Sequence, residues 1–129
     1  MYYIIHVDNS DFFRKITKNF LAEIGYESDG FARGEDVLDL IMADKGDCVI
    51  TGLELADMSG EEFIKHLAVA KPMIPIIVLT ANDEDNQRMR LENLGIKAII
   101  QKSGNWKNEL QNLLVLIREQ SENGGDEES

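Results

Sequence analysis

A single cysteine, Cys48, excludes an internal disulfide and leaves too few thiolates for a metal cluster. Its place mid-strand beside Val49 suits a small buried apolar residue better than a reactive thiol. Basic residues are scarce as well: 13 Lys and Arg stand against 24 Asp and Glu, a formal charge of −11. Phosphate backbones and anionic lipid repel such a body, so nucleic acid and membrane surfaces are poor partners. No apolar run approaches the ~20 residues of a membrane-spanning helix. The opening MYYIIHV has no basic start and too short an apolar stretch for a secretory signal, so a cytoplasmic location is expected. No G-x-G-x-x-G, Walker loop, G-x-S-x-G or H-E-x-x-H occurs, which removes support for dehydrogenase or hydrolase chemistry. The chain is not expected to be an enzyme.

What the chain does contain is a regular alternation. With 43% hydrophobic and 29% charged residues among 129, it suits one globular domain. Strand-like runs occur at 2–7, 26–31, 47–51, 74–80 and 98–101. Between them lie helical patterns: Phe12, Phe13, Ile16, Phe20, Leu21 and Ile24, stopped by Gly25, then a stretch near 34–43 with Val37, Leu38 and Ile41 inward. Ser59 and Glu62 form a capping-box pair ahead of Phe63, Ile64 and Leu67. A weakly amphipathic helix is expected near 84–94, and a last one over about 105–119 with Trp106, Leu110, Leu113, Leu114 and Ile117 on one face. Five strands alternating with five helices predict an α/β fold, one parallel sheet covered on both sides. The domain is bounded at 1–119. Residues 120–129, acidic and rich in small polar residues, are expected to be a disordered tail or the start of a linker.

Ligands in such sheets bind beyond the carboxyl ends of the strands. Those ends read Asp8-Asn9-Ser10, Gly52, Thr80-Ala81 and Lys102-Ser103. A carboxylate, a hydroxyl and an ammonium therefore converge on one edge, with Gly52 in their midst. Glycine there costs the strand roughly 0.5–1 kcal/mol relative to alanine, so the position calls for a reason. A flavodoxin would need a Ser/Thr/Gly-rich phosphate loop after the first strand, and DNSDFF is short, acidic and without glycine.

Over about residues 2–119 the pattern resembles the receiver domain of two-component response regulators, the chemotaxis response regulators among them. The resemblance implies a flavodoxin-like strand order, 2-1-3-4-5. It also implies an acidic pair for Mg²⁺ after the first strand, a phosphoacceptor aspartate ending the third, a hydroxyl after the fourth and a lysine after the fifth. Asp8 matches the first acid and Asn9 replaces the second, Thr80 matches the hydroxyl, and Lys102 matches the lysine. DCVITGLELADMSG matches the acceptor segment, but Gly52 stands where the aspartate belongs; Glu54 takes the position that lends a backbone carbonyl to the metal. Ser103 replaces the usual proline, Ile99 the switch aromatic and Ala56 a common proline. With Asp8 alone left of three carboxylates, no cofactor is expected and Mg²⁺ binds weakly if at all.

The resemblance thus yields a pseudo-receiver that signals by protein contact. The alternative is that Gly52 is a variant or engineered replacement of the acceptor in an otherwise working Mg²⁺-dependent phosphotransfer receiver. Implied partners are a histidine kinase or a downstream output protein, with a homodimer possible through the 84–119 face, where Val115 projects away from the apolar side of its helix. Plainer readings stand beside these. Asp8 can simply pair with Lys102, and Thr80 can cap its own loop. His6 reads as a core histidine and His66 as a surface one. The acids Asp57, Glu61, Glu62, Asp83, Glu84 and Asp85 read as a solvated rim.

Overall fold

The computed structural model describes residues 2–82 and 84–128, with side chains as far as Ser121. Five parallel strands, β1 (Tyr3–Val7), β2 (Glu27–Phe31), β3 (Cys48–Thr51), β4 (Ile76–Thr80) and β5 (Ala98–Gln101), form one sheet in the order β2-β1-β3-β4-β5. The helices between and after them are α1 (Asp11–Glu23), α2 (Gly34–Met42), α3 (Gly60–Ala70), α4 (Asp85–Asn93) and α5 (Trp106–Glu128). The expected fold class and strand order are both observed.

Alternation along the strands explains the layering. Ile4, Ile50, Ile77, Leu79 and Ile100 face α1 and α5, where they meet Phe20, Leu21, Leu110, Leu114 and Ile117. The intervening Ile5, Val7, Val49, Ile76 and Val78 face the other way, against Val37, Ile41, Phe63, Ile64 and Leu67 of α2 and α3. β3 and β4 are buried throughout because both faces are covered, which is why their sequences read as near-continuous apolar runs. Gly25 and Gly95, at φ 91° and 86°, end α1 and α4 in a conformation that other residues adopt at a cost. α4 buries only Leu91 among its residues, in keeping with its weak amphipathic pattern.

α5 continues as helical backbone to Glu128. Nothing in Gln120–Asn123 breaks a helix; the first residues of low helix propensity are Gly124 and Gly125. Ser129 lies outside the described residues.

Candidate functional site

Register sets the site. β1 and β3 pair Val7 with Thr51, so Asp8 and Gly52 emerge level with each other, and the Gly52 amide donates to the Val7 carbonyl at 2.8 Å. β4 and β5 pair Thr80 with Gln101, and the Lys102 amide donates to the Thr80 carbonyl at 2.7 Å. All six residues singled out from the sequence, Asp8, Asn9, Gly52, Glu54, Thr80 and Lys102, line one cleft of about 660 Å3. Asp83 of the expected acidic rim lies outside the described residues.

At the floor of the cleft Lys102 Nζ donates to Asp8 Oδ2 at 2.6 Å. The two side chains are 19% and 14% exposed, so the pair is only partly screened by water. The other carboxylate oxygen accepts the Ser10 amide at 2.9 Å. Arg14 approaches from α1, its guanidinium donating to the Asp8 carbonyl at 2.6 Å while pairing with Asp11. Lys102 is fixed from below as well: its ammonium sits 3.9 Å from the centroid of the Phe13 ring, a cation–π arrangement. Phe13 packs on Trp106, at 5.2 Å between centroids, at the start of α5.

Gly52 owes its place to what crowds it. A Cβ there would lie 3.2 Å from Asp8 Oδ2 and 3.4 Å from Asp8 Cγ, so the Asp8 carboxylate leans over the position where an acceptor side chain would begin. From the other side α3 presses in. A Cβ on Gly60 would come within 2.2 Å of the Gly52 carbonyl oxygen, and the Gly60 amide donates to the Leu53 carbonyl at 2.8 Å. Only glycine at 60 lets the helix start this close to the loop.

The flanking groups are accounted for. Thr80 Oγ1 donates to the Asn82 carbonyl at 2.9 Å and accepts the Asn82 amide at 3.1 Å, so the hydroxyl closes its own loop, as the plainer reading held. Thr51 is fully buried and donates to the Gly52 carbonyl. Glu54 is exposed at the rim and bridges to Ser59.

Mg²⁺ asks for an octahedron of hard oxygens anchored by carboxylates. Here, among the described residues, Asp8 is the one carboxylate at the floor, and both its oxygens are engaged. Among the described residues no three His, Cys, Asp or Glu side chains gather as a metal would require. This donor set does not fit the ion.

Three contributors were not legible in the sequence. Asp57, read as part of a solvated rim, instead caps α2 from the loop after β3: its oxygens accept the Gly34 and Glu35 amides at 2.7 and 3.0 Å. Burial pushes its carboxyl up, but those amide bonds outweigh it and leave the pKa lowered. α2 has no capping side chain of its own at Arg33, so its first amides take an acceptor from elsewhere in the chain. Phe13 beneath Lys102 and Arg14 on the Asp8 carbonyl were legible only as helix residues. His6 is buried as expected, with no hydrogen-bond partner for Nε2 among the described residues, and its ring fills the space beside Gly30. Desolvation, aided by Lys18, lowers its pKa to about 4, so the imidazole is neutral. His66 is exposed.

Comparison with known proteins follows the same lines. A family profile described as the response regulator receiver domain matches residues 4–114. The response regulator MprA of Mycolicibacterium vanbaalenii is 27% identical over 126 residues, 98% of this chain and 54% of that protein. The transcriptional regulatory protein SrrA of Staphylococcus aureus is 30% identical over 86 residues, 67% of this chain and 35% of that protein. The chain thus spans about half of the one relative and a third of the other. Among solved structures, a CheY-like receiver domain protein of Methanospirillum hungatei superposes with a TM-score of 0.85 at 24% identity, covering 95% of this chain and 98% of that one. The signal receiver domain of a Vibrio parahaemolyticus protein described as a Luxo repressor gives 0.88 at 20% identity, covering 98% and 97%. At these identities the structures testify to the fold.

Proposed function

This chain belongs to the response regulator receiver domain family, and from that premise we propose that it is a pseudo-receiver of a two-component system, acting by protein contact and not phosphorylated at position 52. One observation carries the reading. Gly52 offers no oxygen to a phosphoryl group, and the lysine that such a group would meet is already paired with Asp8 at 2.6 Å. In this reading the domain is not an enzyme, needs no cofactor and works in the cytoplasm with a histidine kinase or an output protein as partner. The face of α4, β5 and α5 is the contact surface, and two copies can pair through it. Met89, Val115 and Leu116 are exposed there at 64%, 45% and 55%.

The second reading, a single replacement of the acceptor in a working site, draws on the fact that Asp8, Thr80 and Lys102 remain gathered around Gly52. Intact mass after incubation with acetyl phosphate and Mg²⁺ separates the two, run on this chain and on Gly52→Asp. The pseudo-receiver reading expects no phosphoryl group on either protein. Phosphorylation of Gly52→Asp alone favours the second reading, and phosphorylation of the chain as it stands overturns the first. The surface is tested by the double charge reversal Glu92→Lys with Glu119→Lys, both exposed. Loss of partner capture with an unchanged melting temperature is expected; undiminished capture places the contact elsewhere.

A further inference from the structure

The cleft already contains a cation. Lys102 reaches Asp8 Oδ2 at 2.6 Å from a side chain that is mostly buried, and the Phe13 ring 3.9 Å beneath its ammonium narrows the positions open to it. A second positive group, the Arg14 guanidinium, lies on the Asp8 carbonyl at 2.6 Å. At the floor, Asp8 and Lys102 carry opposite unit charges, while Asn9, Gly52 and Thr80 carry none. Among the described residues, the other acids lining the cleft, Glu54 and Glu84, are exposed at its rim. A site with three carboxylates and one lysine has an excess of negative charge that a hard divalent ion balances. This floor has no such excess.

We propose that the Lys102 ammonium is the resident counter-ion of the cleft, supplying Asp8 with the charge a divalent metal would bring, so that the site is complete with neither metal nor phosphoryl group. The inference rests on the pseudo-receiver reading and goes further by naming what balances the Asp8 charge in the cleft. Gly52 is part of the arrangement, because a side chain there would crowd Asp8 Oδ2 and compete for Lys102. Through Phe13 and Trp106 the pinned lysine is in contact with the start of α5.

The experiment uses Trp106, the sole tryptophan of the chain, as reporter. Mn²⁺ is titrated into the unaltered protein, Lys102→Met and Asp8→Asn, following emission and calorimetric heat. Lys102→Met keeps an apolar stem over Phe13 but drops the charge. It is expected to bind Mn²⁺ at least about tenfold more tightly than the unaltered protein. Asp8→Asn frees the ammonium, and is expected to lose any response to Mn²⁺ while gaining a saturable one to inorganic phosphate. Equal Mn²⁺ affinity in the unaltered protein and Lys102→Met overturns the inference, as does an Asp8→Asn protein indifferent to phosphate. Should Lys102→Met fail to fold, the Asp8→Asn arm decides alone. An unaltered chain that binds Mn²⁺ tightly yet takes up no phosphoryl group sinks this inference and leaves the pseudo-receiver reading standing.

Discussion

Placing an aspartate at position 52 should destabilise the fold in the absence of metal. The new Cβ would stand 3.2 Å from Asp8 Oδ2, so Asp8 must give by a few tenths of an ångström while still tied to Lys102 and to the Ser10 amide. The larger effect is charge. Two carboxylates about 4 Å apart repel by about 1 kcal/mol in water and about 4 kcal/mol at the effective dielectric of a protein surface. This cleft lies between those limits, and Lys102 can share itself between the two acids. Against the repulsion stands the lower entropy of the unfolded chain once glycine is gone, roughly 0.4–1 kcal/mol. The net expectation is a loss of about 1–2 kcal/mol at neutral pH in a chelating buffer, with Mg²⁺ restoring about 1.4 kcal/mol at ten times its dissociation constant. Urea unfolding followed by Trp106 emission, with and without Mg²⁺, measures both quantities on one reporter. If Gly52→Asp proves as stable as the unaltered chain in chelator, or equally stable with and without Mg²⁺, the account of Gly52 as the residue that spares Asp8 a like charge is wrong.

Two further expectations concern the scaffold. Burial keeps His6 neutral with a pKa lowered from 6.5 to about 4, whereas the unfolded chain takes up a proton near 6.5. Stability from this group is therefore complete above about pH 6.5 and declines as pH falls toward about 4, by up to roughly 2–3 kcal/mol. Urea midpoints measured across that window should fall less steeply for His6→Leu; parallel curves would remove His6 from the account. Gly60→Ala drives a methyl to within 2.2 Å of the Gly52 carbonyl and 2.7 Å of Leu53 Cα. A loss of about 1–3 kcal/mol is expected despite alanine's better helix propensity. An unchanged melting temperature would mean that α3 can back away from the loop freely.

Much of this was legible in the sequence, for physical reasons. Apolar period and breaker residues marked every strand and helix start to within a residue or two, because both faces of the sheet had to be filled. Parallel topology then sent the ends of β1, β3, β4 and β5 to one edge, so Asp8, Gly52, Thr80 and Lys102 could be grouped without coordinates. What escaped depends on loop conformation and long-range approach. Phe13 meets Lys102 from far away in the sequence, and Asp57 meets Gly34 from another loop. Gly60 carried no signal of its own beside the Ser59–Glu62 pair, and its lack of a side chain answers to the Gly52 carbonyl rather than to its own helix.

The clasp made by Asp57 has a consequence for time as well as for stability. The Gly34 and Glu35 amides belong to the start of α2, but they can trade protons with solvent only when the loop after β3 swings off them. Ala56 is bound in the reverse sense, its amide donating to the Ala32 carbonyl at 2.8 Å. Two loops that are remote in sequence thus open on one clock. A partner resting only on the loop after β3 would slow deuterium uptake at Gly34 and Glu35, residues it never touches.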